Sequence, residues 1–159
     1  MSMKLRVVIP PHPLIGHWLS ILRIEATPAP IYSIGLEQLG KWLTYEAIRD
    51  WIPYKKEEIK TSTGSCEGTL IDSRIPIFVL PNIPGGFQMW QGAKELLPNA
   101  TLCLGNLPAN IQKKTGLIIY LDQITNGVKI IKHLSVLKEF EIEPIQIRVI
   151  SALCTSDAL

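Results

Sequence analysis

The stretch from Leu117 to Leu134 holds the residues whose order could do chemistry. An apolar run ends in a single acid, Asp122. A polar turn with Thr125, Asn126 and Gly127 follows, and then an amphipathic pattern begins. A strand, a loop and a helix in this order can seat an anion, because backbone N–H groups and the positive end of the helix dipole converge on it. Such a cradle ordinarily needs several small residues so that the backbone can approach its ligand, and this loop has only Gly127. Thr125, Asn126 and Gly127 therefore read as a seat for phosphate or sulfate or, more simply, as an ordinary turn. Asp122 reads as a ligand contact or as a cap for the helix that starts near Gly127. A second loop, Pro81–Gly86, offers Asn82, Gly85 and Gly86 as a backbone nest for an anion. Its simpler reading is a tight turn in which the glycines supply positive φ.

The elements that must position these loops follow from periodicity. Lys4–Ile9 reads as a short extended arm ending at Pro10–Pro13. Leu14–Ile24 has a helical spread of apolar residues, closed by the Pro28 and Pro30 region. Ile34–Trp51 has Leu36, Leu39, Leu43 and Ala47 on one stripe and is stopped by Pro53. Glu57–Arg74 is polar and reads as a hairpin or irregular loop. From Pro76 onward strands and helices alternate: strand Ile77–Leu80, helix Gln88–Leu97, strands Thr101–Leu104 and Leu117–Leu121, helix Val128–Phe140, strand Ile145–Ile150. Apolar strands separated by helices predict an α/β fold, an open and mostly parallel sheet covered on both faces, with a helical N-terminal part packed on it. Residues 1–159 form one domain: arm and helices over 1–53, sheet core over 76–159. Ligands of such sheets sit beyond the carboxyl ends of the strands, here Pro81–Gly86, Gly105–Pro108, Asp122–Gly127 and the segment from Ser151.

Bulk properties narrow the function classes. A chain of 159 residues with 47% hydrophobic content is globular. Its 16 basic residues against 14 acidic ones are scattered, so no nucleic-acid face is expected. Cys66, Cys103 and Cys154 share no metal or redox spacing, which fits a reducing compartment. No run approaches the roughly 18 apolar residues of a membrane span, and the N-terminus lacks the pattern of a signal peptide. A cytoplasmic protein, or one of a plastid stroma, is expected. His12 and His17 have no metal-ligand neighbours at useful spacing and read as packing residues.

Two N-terminal stretches carry a resemblance. His12–Arg23 resembles the opening H-P-L-I-x-H-x-L-x-x-L-R of uracil phosphoribosyltransferases, and Tyr45–Asp50 resembles that family's Y-E-A-x-R-D. The Ile77–Leu80 strand, the loop to Gly86, Leu97–Ala100 and Leu121–Asp122 follow in the family's order. The resemblance implies a type I phosphoribosyltransferase sheet and a homodimer through the N-terminal arm. The reaction joins uracil to phosphoribosyl pyrophosphate (PRPP), giving uridine monophosphate and pyrophosphate, with Mg²⁺ carried by the pyrophosphate. It also casts Asp122 as a holder of ribose hydroxyls, and Glu46, Arg49 and Asp50, with Arg23, as a partly buried charge cluster.

The same resemblance exposes departures. The family's pyrophosphate loop runs P-I-L-R-A-G, and its cationic position falls on Pro84, which has neither charge nor N–H. The PRPP loop runs D-P-M-L-A-T-G-G-S, whereas Asp122–Val128 is one residue shorter and lacks the glycine pair. The uracil-reading segment, with G-D-A-G-D-R, would lie beyond Ile145–Ile150, and the sequence ends at Leu159, so no hood is expected. Trp90, beside the altered loop, is expected to fill part of the pyrophosphate site. No catalytic residue is assigned. The expectation is a phosphoribosyltransferase-like fold without turnover, acting as a regulatory, assembly or ligand-sensing factor with a possible protein partner. The alternative is a divergent uracil phosphoribosyltransferase of pyrimidine salvage.

Overall fold

The computed structural model of the chain describes residues 6–109 and 111–156, so the first two residues of the expected arm lie outside it. Helix α1 spans Pro13–Arg23. Its start explains the His-Pro pair: His12 Nδ1 accepts a hydrogen bond from the Leu14 N–H at 3.2 Å, and Pro13 begins the first turn. The His12 ring stacks on Trp42, with ring centroids 6.5 Å apart.

Helix α2 spans Ala29–Ile48, five residues earlier at its start than periodicity suggests. Pro28 is its N-cap and Pro30 lies in its first turn. Proline there loses only an N–H that has no intrahelical partner, so these prolines open α2 as well as closing α1. The polar stretch that follows is a hairpin, β1 (Tyr54–Thr61) and β2 (Gly64–Ile71), paired antiparallel in unbroken register. Nearly all of its side chains are exposed on both faces, which is why alternation is missing from its sequence.

The main sheet contains β3 (Ile77–Pro81), β4 (Thr101–Leu102), β5 (Gly116–Ile124) and β6 (Ile147–Cys154). All pair parallel, in the order β4-β3-β5-β6. Between them lie α3 (Gly85–Ala93), continued by a 3-10 turn at Lys94–Leu96, and α4 (Val128–Glu139). Side chains of β5 alternate between two cores. Ile118 and Tyr120 join Leu36, Leu39, Met89 and Trp90 under α2 and α3. Leu117, Ile119 and Leu121 join Leu80, Leu137 and Ile142 on the side of α4. The expected α/β architecture, covered on both faces, is what forms.

Helices α2 and α3 cross at backbone contact. A Cβ on Gly40 would stand 2.0 Å from the Met89 carbonyl oxygen, and one on Gly92 would stand 1.9 Å from that of Glu37. Beneath the crossing the buried Tyr120 hydroxyl meets Thr44 Oγ1 at 2.7 Å. Thr44 donates its own proton to the Gly40 carbonyl at 2.6 Å, so Tyr120 is the donor in the shared bond. Burial raises the Tyr120 pKa well above the ordinary phenol value. This network pins the centre of the sheet to α2.

Candidate functional site

Strands β3 and β5 are parallel neighbours, so their carboxyl ends deliver the two candidate loops to one edge. Pro81 lies beside Tyr120 in the register, and the Asn82 N–H donates to the Tyr120 carbonyl at 2.8 Å. The chain leaving β5 passes directly over the start of α3. A Cβ on Gly86 would be 2.3 Å from the Tyr120 oxygen, and one on Gly85 would be 2.4 Å from Cβ of Asp122. Both glycines are therefore required by close approach. They are absent from the positive-φ residues, which overturns the expectation that they supply a turn of that hand. Helix α3 starts at Gly85, not near Gln88, for the same reason: the glycines let its first turn form under β5.

Asp122 lies within β5, which continues through Ile124 because it pairs with β6. The loop after it is correspondingly shorter than the sequence suggests. The Asp122 carboxyl is half-buried across Gly85 at the N-terminus of α3, where the helix dipole favours negative charge. It does not cap α4. That role belongs to Asn126, whose Oδ1 accepts from the Val128 N–H at 3.3 Å. Gly127 follows at φ +67°, and its carbonyl accepts from Ile131 at 2.9 Å. Thr125 is exposed, and its carbonyl accepts from Thr155 Oγ1 at 2.8 Å, while the Thr155 N–H bonds Ile124 at 3.0 Å. Asn82, Gly85, Gly86 and Asp122 are thus brought together. Thr125, Asn126 and Gly127 form a neighbouring turn whose amide side chain already serves α4. Thr155 was not singled out from sequence, since only its position after the last strand places it at this edge.

At the apex of the first loop, Pro84 is exposed between Ile83 and Gly85, and its carbonyl accepts from Gln88 at 3.2 Å. Among the described residues, the loops Pro81–Gly86 and Asp122–Gly127, with Thr155, supply one carboxylate, three amide side chains (Asn82, Gln123 and Asn126), two threonines and backbone. A Mg²⁺ ion suits one or two carboxylates plus the oxygens of a polyphosphate. Asp122 fits that role only for a metal arriving on its ligand, because no group of three His, Cys, Asp or Glu able to hold a metal forms among the described residues.

Other expectations resolve elsewhere in the molecule. Trp90 is 5% exposed, with its ring 6.1 Å from Tyr120, so it belongs to the core beneath α2 and does not fill the loop site. Arg49 pairs with Glu46 within the last turn of α2, while Asp50 and Arg23 are exposed. The expected clamp between these charges and α1 is therefore a local pair. His17 lies edge-on to Trp18, and His133 is half-buried on α4. No helix among the described residues is long and apolar enough to cross a membrane.

Comparison with known proteins bears on these loops. Residues 8–104 match the family profile described as uracil phosphoribosyltransferase. A uracil phosphoribosyltransferase of Nostoc sp. is 33% identical over 175 aligned positions, spanning 100% of this chain and 81% of that protein. The protein of Arabidopsis thaliana named uracil phosphoribosyltransferase, chloroplastic, is 32% identical over 99% of this chain and 59% of its own length. The solved structure of the AQ2163 protein from Aquifex aeolicus superposes with a TM-score of 0.73 at 21% identity, covering 92% of this chain and 86% of that one. That superposition supports the parallel-sheet fold, and the sequence matches support the lineage. The chain belongs to the uracil phosphoribosyltransferase family.

Proposed function

We propose that this member of the family is without turnover, acting as a regulatory, assembly or ligand-sensing protein. The observation that carries the reading is Pro84. Transfer of a phosphoribosyl group needs cationic or N–H groups aimed at the departing pyrophosphate, because charge develops there in the transition state. Proline supplies neither, and the group facing the start of α3 is the Asp122 carboxylate, which repels a polyanion. The loop after β5 adds one glycine and an asparagine committed to its own helix. The test is phosphoribosyl transfer from PRPP to uracil with Mg²⁺ and purified protein. No uridine monophosphate above background is expected, and its formation at any protein-dependent rate overturns the reading.

The second reading, a divergent uracil phosphoribosyltransferase of pyrimidine salvage, is favoured by the convergence of Asp122 with Gly85 and Gly86 and by full-chain similarity to enzymes of that name. It requires PRPP to stabilise the fold by about 2.7 kcal/mol at a hundredfold excess over Kd. A melting curve unmoved by PRPP and uracil removes it. Titration calorimetry with PRPP, ribose 5-phosphate and uridine monophosphate separates a sensor from an assembly factor. A cytoplasmic or plastid-stromal setting is proposed with this function, the latter supported by the chloroplastic designation of the Arabidopsis relative.

A further inference from the structure

Helix α1 is lightly held: two of its 11 residues, Ile15 and Leu22, are buried. The arm ahead of it leaves Val7, Val8 and Ile9 exposed. His12 is the junction of arm, α1 and α2. Its N–H donates to the Pro10 carbonyl at 2.9 Å, and its own carbonyl accepts from the Gly16 N–H at 3.0 Å. The ring serves two further elements. Nδ1 accepts from the Leu14 N–H at 3.2 Å, and the ring plane lies within 4° of the Trp42 indole. Pro13 has no N–H, so Leu14 carries the first donor of the helix, and the imidazole is what satisfies it.

Ser, Thr, Asp or Asn more often hold this position, and their oxygens accept a hydrogen bond at neutral and mildly acid pH alike. An imidazole nitrogen accepts only while it carries no proton. The bond to Leu14 therefore belongs to the neutral ring with its proton on Nε2. A second proton would go to Nδ1, set a donor against a donor, and place positive charge at the positive end of the α1 dipole. Both effects oppose the docked first turn. A cation gains from an indole face within about 6 Å of the ring centre. Here the centroids are 6.5 Å apart, so the stack on Trp42 offers little return. Neighbouring groups do not offset the charge either. Within a turn of Trp42 on α2, Lys41 pairs with Glu95 and Glu46 pairs with Arg49, while Tyr45 is neutral. Arg6 on the arm and His17 on α1 add positive charge or none.

We propose that His12 is a proton-operated latch: neutral, it holds the arm and the first turn of α1 against Trp42, and protonated, it releases them while the rest of the fold stays in place. Histidine is the side chain whose charge ordinarily changes between about pH 5 and 8. The docked state binds fewer protons than the released one, so docking is complete at the alkaline end of that range and is lost as pH falls. The release is local because the other two histidines lie on α1 and α4, away from the α2–α3 crossing.

Amide hydrogen exchange of the full chain, corrected for the intrinsic effect of pH, tests the latch. Protection across Gly16–Ser20 is expected to fall about tenfold between pH ~7.5 and pH ~5.5, the combined scale of a lost cap and an opposed dipole. Protection of Met89 and Trp90 in α3 is expected to stay constant. His12→Asn, whose oxygen caps without titrating, is expected to abolish the fall, and His17→Gln to leave it in place. Nitrogen NMR of the unmodified protein supplies a readout independent of variant folding: at pH ~7.5 the His12 proton resides on Nε2. Equal protection of α1 at both pH values overturns the proposal. So does a His12 ring protonated on Nδ1 at the higher pH, a fall that persists in His12→Asn, or one that extends equally to α3.

Discussion

The α2–α3 crossing and the loop edge are both built on glycines pressed against backbone or side chain, yet they answer to different demands. At the crossing, Gly40 and Gly92 let two helices touch main chain to main chain, and Tyr120 and Thr44 complete a buried hydrogen-bond pair beneath them. Every group there is satisfied from within the chain. At the edge, Gly85 and Gly86 allow β5 to pass over α3, but the outcome is a carboxylate beside a helix N-terminus and a proline at the loop apex. The first region needs only the polypeptide to be complete. The second places a half-buried Asp122 and an exposed Pro84 at one strand edge. Close approach at glycine can therefore serve the core in one place and the rim of the sheet in another.

Substitution separates the two regions, beginning at the crossing. Gly40→Ala drives a methyl into the Met89 carbonyl, and the helices must part; a loss of about 3 kcal/mol is expected by urea denaturation. Tyr120→Phe removes a buried donor while Thr44 keeps its bond to Gly40, so a loss of about 1–2 kcal/mol is expected. The phenol also gives the crossing an alkaline limit. Its folded pKa lies above its unfolded one, so its contribution is complete below pH ~10 and is lost as pH rises beyond that, by at most about 1.4 kcal/mol per pH unit. Tyr120→Phe should flatten that slope in melts between pH 9 and 11.

At the edge smaller effects are expected. Gly85→Ala meets the Asp122 side chain rather than backbone, and should cost about 1 kcal/mol, much of it recovered in the double variant with Asp122→Ala. A coupling near zero would show that the two loops are independent. The smallest effect lies outside both regions, at the base of the hairpin. Hydrogen bonds from Arg74 hold the Asp72 carboxyl down to about 2. Carbon-detected titration should return it toward the ordinary value of 3.8 in Arg74→Met.

How much of this was legible in sequence follows the same division. The apolar runs at Ile77–Leu80 and Leu117–Leu121 and the stripe along α4 mark buried elements directly, so the parallel sheet could be read. The starts of α2 and α3 could not. Pro28 and Pro30 terminate one helix and open the next, and Gly85 is helical only because Asp122 and Tyr120 leave no room for a side chain. The extension of β5 past Asp122 depends on β6, thirty residues away in register, which no local pattern contains. The meeting of the two loops at one edge was read from the apolar runs that form β3 and β5. The seat of Trp90 was not, because its burial under α2 is a tertiary fact.

The exposed turn of the hairpin, at Ser62 and Thr63, divides the chain between its helical part and its sheet. Residues before the turn carry α1 and α2; residues after it carry α3 and every strand of the main sheet. A protease cut at that turn would leave two polypeptides joined by the Gly40–Gly92 crossing and by the Thr44–Tyr120 bond. Fragments expressed separately from either side are expected to find each other and complete one core, which makes this chain a natural split pair.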